Sequence, residues 1–370
     1  MKKLLLLSLI LFFSCSSNDK EEEISETPPQ VIIKDTFFTW GPGDNLHPSH
    51  NPSNEYFNQG TAYADVNGDG IKDVLLSSAW DLDNDATIDW WIKQENGSLI
   101  KDSSFISEST QGLRAHKIVE TDVNNDGNSD FILFGVDESD PNNFDGNFAT
   151  LIWNDGIYDL VRVSEGTGLW FHGGDAGDLN GDGFVDVITA EYIWWGDGTG
   201  NFINSNIDIY NWCDSPLMYL IEDYNNDGFN DIILSTKTRH DRTTIVYGDG
   251  SNWDNPSIEK LPYEEEYRNP MDIKMIDINE DGILDILELR QKNDEDFGSI
   301  IISTTNVDFI NSQDGNGMNG SNDHFGWTQM RIADVDGDGL IDIVAENYHD
   351  GNYNGIKNIN GVWEKWLFQH

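Results

Sequence analysis

Six nine-residue segments carry the side chains whose types and spacing could do chemistry. They are Asp65–Asp73 (DVNGDGIKD), Asp122–Asp130 (DVNNDGNSD), Asp178–Asp186 (DLNGDGFVD), Asp223–Asp231 (DYNNDGFND), Asp277–Asp285 (DINEDGILD) and Asp334–Asp342 (DVDGDGLID). Each places oxygen-bearing side chains at positions 1, 3, 5 and 9. The sets are Asp65, Asn67, Asp69 and Asp73; Asp122, Asn124, Asp126 and Asp130; Asp178, Asn180, Asp182 and Asp186; Asp223, Asn225, Asp227 and Asp231; Asp277, Asn279, Asp281 and Asp285; and Asp334, Asp336, Asp338 and Asp342. Alternate oxygens converge on one point where the backbone curls. Such a donor set suits a hard cation, and calcium, with six to eight oxygens in a flexible shell, suits it better than magnesium. Glycine at position 6 supplies the positive φ that the curl needs. The carbonyl at position 7 is a further expected ligand and the aspartate at position 9 a closing one, for about six calcium ions in all.

The segments are not EF-hands. That motif needs glutamate at position 12 between helices, and position 12 here is Leu76, Leu133, Thr189, Leu234, Glu288 or Ala345. Each loop runs directly into a short apolar, β-branched stretch, such as VLLSS from Val74, FILFG from Phe131 and IILS from Ile232. These stretches predict buried strands. A strand also precedes each loop, as in TAYAD from Thr61 and MDIKMID from Met271. Further on come two more strands joined by a tight turn, for example Trp153–Tyr158 (WNDGIY), Trp195–Phe202 (WGDGTGNF), Tyr247–Trp253 (YGDGSNW) and Asn360–Trp363 (NGVW); Asn-Gly and Asp-Gly between apolar runs are hairpin signals. The unit recurs every 45 to 57 residues or so, a period of repeat architectures. Four strands per unit predict an all-β fold, a β-propeller of four-stranded blades with the loop between strands 1 and 2 and aromatics packed between blades. Six loops predict six blades; seven, one of them degenerate, is the alternative. The segment Val31–Trp40 is a candidate outer strand of the last blade.

On these loops the chain resembles the FG-GAP, or VCBS-type, repeats of integrin-like calcium-binding propellers, over about residues 60–350. The resemblance implies that the loops share one rim of a disc. It does not fix an activity, because that fold carries adhesion receptors, lectins and polysaccharide lyases. Dockerin and thrombospondin type 3 loops are similar, but dockerins carry two loops about one helix apart and thrombospondin repeats pair theirs with cysteines, and neither pattern fits this chain.

The 370 residues carry a net charge of −46, which excludes nucleic acid and electrostatic attachment to anionic lipid as partners. Thirteen tryptophans argue for a packed core rather than a disordered acidic chain. Residues 1–15 read as a signal peptide, with Lys2 and Lys3 before the apolar run Leu4–Phe13. The end at Cys15 resembles a bacterial lipoprotein signal, although Phe12 stands where leucine is usual; an ordinary secretory signal is the alternative. Residues 16–30 read as an acidic flexible tether, similar to the export signals of some Gram-negative surface lipoproteins, and residues 31–370 as one propeller domain. The expected location is the outer membrane, facing outward, with the lipid on Cys15 as the only membrane contact and the propeller monomeric. Cys213 beside Trp212 reads as a small buried residue, which leaves calcium to do the cross-linking that disulfides give many exported proteins.

A second group of residues falls in the connections entering first strands or leaving second strands, on the rim opposite the loops. His47, His50, His116, Trp170, His172, Arg268, His324 and Trp327 precede first strands, and Arg239, His240 and His349 follow second strands. Aromatic faces and arginines suit sugars and uronate carboxylates. They also suit β-elimination with His or Tyr as base. The functions read from this are binding of an extracellular glycan or protein ligand, polysaccharide cleavage by a lyase, or a structural part in a surface complex; whether the protein is an enzyme stays open. No GxSxG, HExxH, P-loop or Rossmann glycine pattern occurs. A further acidic run, Asp81, Asp83, Asp85 and Asp89, repeats the spacing with Ala86 in place of glycine and reads as a solvated loop or a seventh site.

Overall fold

The computed structural model describes residues 57–79, 87–96, 98–111, 113–137, 146–163, 173–190, 192–214, 216–236, 243–251, 253–261, 267–278, 282, 284–292, 298–303, 330–333, 341–346, 353–359 and 362–368. Every long element among them is a strand, and no α-helix occurs among the described residues. The strands form six antiparallel meanders in chain order. The first contains β1 (Phe57–Ala64), β2 (Asp73–Ala79), β3 (Ile88–Lys93) and β4 (Leu99–Asp102). The second contains β5 (Leu113–Thr121), β6 (Asp130–Asp137), β7 (Gly146–Asn154) and β8 (Ile157–Arg162). The third contains β9 (Asp175–Gly177), β10 (Asp186–Ile188), β11 (Tyr192–Gly196) and β12 (Phe202–Asp208). The fourth contains β13 (Pro216–Glu222), β14 (Asp231–Thr236), β15 (Thr243–Tyr247) and β16 (Ser257–Lys260). The fifth has three described strands, β17 (Tyr267–Ile276), β18 (Asp285–Lys292) and β19 (Gly298–Ser303). The sixth contains β20 (Met330–Ala333), β21 (Asp342–Glu346), β22 (Tyr353–Ile359) and β23 (Val362–Phe368).

The second strands explain their own sequences. Phe131-Ile132-Leu133-Phe134 is continuously apolar because both faces of β6 are covered. Phe131 and Leu133 pack with Leu75 and Trp90 of the first sheet, while Ile132 and Phe134 pack with Val187 and Ala190 of the third. In β14, Ile232 and Leu234 likewise face the third sheet, and Ile233 meets Ile273 and Ile286 of the fifth. Four of the described cores therefore lie between two consecutive sheets, and a smaller one, Val74 and Leu76 with Tyr63, Trp91 and Leu99, belongs to the first sheet. Aromatics fill these layers: Trp90 stacks on Tyr158 at 5.7 Å and meets Phe131 edge-on at 5.5 Å, and Phe148 meets Trp194 and Phe202 edge-on at 5.6 Å. Offset and edge-to-face pairs of this kind are favoured by the ring quadrupoles. Cys213 is buried in the layer between the third and fourth sheets.

Neighbouring sheets meet along their first strands, with β1 beside β5, β5 beside β9, β9 beside β13, β13 beside β17 and β17 beside β20. Polar side chains tie this succession. The amide of Ala115 donates to Ser77 Oγ at 2.8 Å, that of Ile221 to Asp175 Oδ2 at 2.8 Å and that of Met330 to Asp272 Oδ2 at 2.7 Å. Lys117 on β5 spans two neighbours, pairing with Asp175 of β9 at 3.0 Å and donating to the Tyr219 carbonyl of β13 at 3.1 Å. The ladders of β1, β5, β13 and β17 each break register against their second strands, and such bulges bend a strand.

His116 differs from the sequence expectation. It lies inside β5, in the register break between Ala115 and Lys117, and is 7% exposed rather than carried on an entering loop. Arg268 likewise falls within β17 instead of before it. The strands begin earlier than their apolar cores suggest, because a bulge lets the pairing continue past a break in alternation. His47, His50, Trp170, His172, Arg239, His240, His324, Trp327 and His349 lie outside the described residues, as do residues 1–40 and Asp81, Asp83 and Asp85. Asp89 is described: it sits in β3, pairs with the Lys101 ammonium at 2.6 Å and accepts from the Thr87 hydroxyl at 2.5 Å.

Candidate metal centres at the strand 1–2 corners

Each nine-residue segment joins the first and second strands of one sheet, and its ninth residue is the first residue of the second strand: Asp73, Asp130, Asp186, Asp231, Asp285 and Asp342. Four loops are described completely, and they close in one pattern. The position 1 carboxylate accepts the amides that come after it. Asp65 takes those of Gly68, Asp69 and Gly70 at 2.7–3.0 Å, and Asp223 takes those of Asp227 and Gly228 at 2.9–3.0 Å. Asn67, Asn124, Asn180 and Asn225 each accept the amide of position 5 at 2.8–3.0 Å. Asp69, Asp126, Asp182 and Asp227 each accept that of position 7 at 2.8–2.9 Å. In the fifth loop the Gly282 amide donates to Asp277 at 2.7 Å; Asn279 and Asp281 lie outside the described residues, as do Asp334, Asp336 and Asp338 of the sixth.

Glycine at position 6 is required by conformation rather than by space. Gly70, Gly127, Gly183, Gly228 and Gly282 have φ between +85° and +93°, and a Cβ there would meet nothing within 4 Å. Position 4 is also left-handed, at Gly68, Asn125, Gly181 and Asn226. The oxygen spacing does not single this position out, although the use of only Gly or Asn in these four loops is the signature of that conformation.

The position 9 carboxylates do something different. Asp73, Asp130, Asp186 and Asp231 are fully buried. One oxygen accepts the amide of position 2 (Val66, Val123, Leu179 and Tyr224) at 2.9–3.1 Å. The other accepts an amide at the end of the third strand (Lys93, Trp153, Gly196 and Gly248) at 2.7–2.9 Å. The ladder between second and third strands ends there, and the side chain supplies the acceptor that the departing backbone no longer offers. Of the residues that donate this second bond, Trp153, Gly196 and Gly248 fall within the hairpin signatures of the sequence, and Lys93 does not. In Gly196 and Gly248 the absence of a side chain matters, because a Cβ would lie 2.0 and 2.1 Å from the carbonyl oxygens of Val185 and Asn230. Burial pushes the Asp186 carboxyl up to about 6, with the Gly196 and Leu179 amides opposing it. Asp73, Asp130 and Asp231 are raised by burial in the same way. Asp126, exposed and bonded to Asn128 and Asn124, is lowered.

The donor set fits a hard dication in chemistry: three carboxylates, an amide oxygen and backbone carbonyls, without sulfur or imidazole. The tips of positions 3 and 5 already converge, with Asn67, Asn124 and Asn225 Nδ2 at 2.9–3.0 Å from Asp69, Asp126 and Asp227 Oδ2. A cation between them would require that amide to turn its oxygen inward, which gives up the bond its oxygen accepts from the position 5 amide. The buried carboxylates of Asp73, Asp130 and Asp186 each retain about two of four lone-pair sites, and that of Asp231, which also accepts the Asn225 amide, about one. As folded, however, the side chains bond to the loop's own amides. Among the described residues no group of three or more His, Cys, Asp or Glu is gathered for a metal ion.

Comparison with known proteins agrees with the repeat reading at one place. No curated protein matches the chain. Among solved structures, the V. cholerae biofilm matrix protein Bap1 is similar at 14% identity and a TM-score of 0.40. The match covers 71% of this chain and spans only 40% of Bap1. Residues 223–288, which run from the fourth loop through the fifth and into β18, match the family described as FG-GAP-like repeat.

Proposed function

We propose that the protein is a calcium-stabilised, six-bladed β-propeller that binds an extracellular glycan or surface protein. In this reading it is a monomer held at the outer face of the outer membrane by a lipid on Cys15. The observation that carries the reading is the repeated corner: the same oxygen side chains at the same positions of the same turn, with the same amide bonds, in every completely described loop. The propeller is supported by the succession of first strands and by Lys117, whose reach from β5 to both β9 and β13 needs inner strands that curve toward a shared side. A closed ring further requires β20 to lie beside β1. When bound, calcium would supply the cross-links of a fold with one buried cysteine in its described part. Asp and Asn at positions 1, 3 and 5 would hold it, with position 9 closing the shell.

The ligand surface in this proposal is the rim away from the loops, where His172, Trp170, Arg239, His240, Arg268, His324, Trp327 and His349 fall in sequence. Function commonly sits on loops held by a rigid scaffold. The test is a glycan array together with a panel of acidic polysaccharides monitored at the ultraviolet absorbance of unsaturated uronates. Retention of a glycan without absorbing product is expected. Product from the parent protein, lost in His172→Ala, would replace the binding protein with a lyase. Retention of a protein partner alone would make it a subunit of a surface complex.

A further inference from the structure

The third loop is not supported by its own sheet alone. Three groups of the fourth sheet touch it. Asn230 Nδ2 donates to the Asp178 carbonyl at 2.9 Å, and Trp253 Nε1 donates to the Leu179 carbonyl at 2.9 Å. The Gly250 carbonyl lies so close under Gly181 that a Cβ there would be 3.1 Å from it. These bonds hold the carbonyls of positions 1 and 2 and the backbone at position 4, which together set how the third loop curls.

The same three groups are tied to the fourth loop. Asn230 is its position 8, between Phe229 and the buried Asp231. Phe229, at position 7, packs on Gly250, where a Cβ would come within 2.4 Å of its ring. Asp231 accepts the Gly248 amide at 2.8 Å and so fixes the start of the turn that carries Gly250 and Trp253. Trp253 is 2% exposed and its ring lies 5.8 Å from that of Trp212, in the connection between the third and fourth sheets, so the turn has little freedom to move alone. The other loops carry Lys72, Ser129, Val185, Leu284 and Ile341 where the fourth carries Asn230. Lysine and serine have shapes unlike that amide, and the rest cannot donate from the side chain.

We propose that the third and fourth loops share one scaffold and take up cations cooperatively, with Asn230 and Trp253 as the positioning residues that couple them. The inference rests on the calcium reading under Proposed function. Ordering of one loop removes conformational freedom that the other would otherwise have to lose, which is coupling without a change of fold. Coupling of this kind is reciprocal and typically changes affinity about 5-fold or more.

The test is hydrogen exchange of segments 65–73, 178–186 and 223–231 over a calcium titration. Asn230→Ala and Trp253→Phe remove one bond each and leave every ligand of both loops in place. Both are expected to move the calcium midpoint of segment 178–186 about 5-fold or more upward, with segment 65–73 unmoved. Asp227→Ala, which disables the fourth loop, should move segment 178–186 in the same direction. In chelator, Asn230→Ala should already speed exchange at 178–186. Calcium protection of all three segments, with the 178–186 midpoint unmoved in Asp227→Ala, would overturn the coupling whatever the other two variants do, and leave the calcium reading standing. No calcium protection in any segment of the parent protein would overturn both.

Discussion

The two kinds of carboxylate in each loop should respond differently to removal, and the fourth loop offers the cleanest comparison. Asp231 is fully buried and accepts amides from Tyr224 at 3.0 Å, Asn225 at 3.3 Å and Gly248 at 2.8 Å. Asp231→Ala leaves at least the Tyr224 and Gly248 amides without acceptors beside a cavity. Each buried unsatisfied donor costs about 1–3 kcal/mol, so the loss is about 2–6 kcal/mol with no metal present. Asp227 is exposed and accepts only the local amide of Phe229 and the side-chain amide of Asn225. Asp227→Ala should therefore be nearly silent in chelator. In calcium it should lose the stabilisation that binding gives, which is about 2.7 kcal/mol per site at a hundred times the dissociation constant. The assay is denaturant unfolding of both variants and the parent in chelator and in millimolar calcium. Equal losses in chelator would refute the division into a buried staple and an exposed ligand. So would an Asp231→Ala loss that appears only in calcium.

Other expectations rest on the same geometry. Gly183→Ala should cost about 1–2 kcal/mol from the positive φ alone, and Gly183→Asn less; Gly196→Ala should cost more than Gly183→Ala, since its Cβ would collide with the Val185 carbonyl. Denaturant midpoints of the three variants give that order. Lys117→Met should cost about 1–3 kcal/mol by stranding the buried Asp175 carboxylate, and adding Asp175→Asn should recover part of it, a gain readable in a double-mutant cycle. Cys15→Ser should move the protein from the membrane fraction to the soluble one, as read by fractionation of cells expressing each form.

Much of the fold was legible because the second strands are buried on both faces. A run such as Phe131–Phe134 cannot be an exposed strand, and its length is too short for a helix. The corner loops were legible because position 6 demands glycine and positions 1, 3 and 5 demand short oxygen side chains. The role of position 9 was only half legible. An aspartate in the ninth place reads as a ligand, but its amide bonds to the far end of the third strand, as from Asp186 to Gly196, depend on a contact between segments that no local pattern encodes. The same holds for Asn230 and Trp253, whose partners lie 52 and 74 residues away. His116 shows the opposite failure: a polar residue before an apolar run looks like a loop residue, yet a bulge carries it into the strand.

The measurement closest to the central claim is the number of calcium ions held per chain, by native mass spectrometry and by elemental analysis after dialysis against millimolar calcium. About six are expected, falling by one in Asp182→Ala, with a melting temperature that drops on chelation. A chain that holds none at millimolar calcium and melts at the same temperature in chelator would contradict the claim.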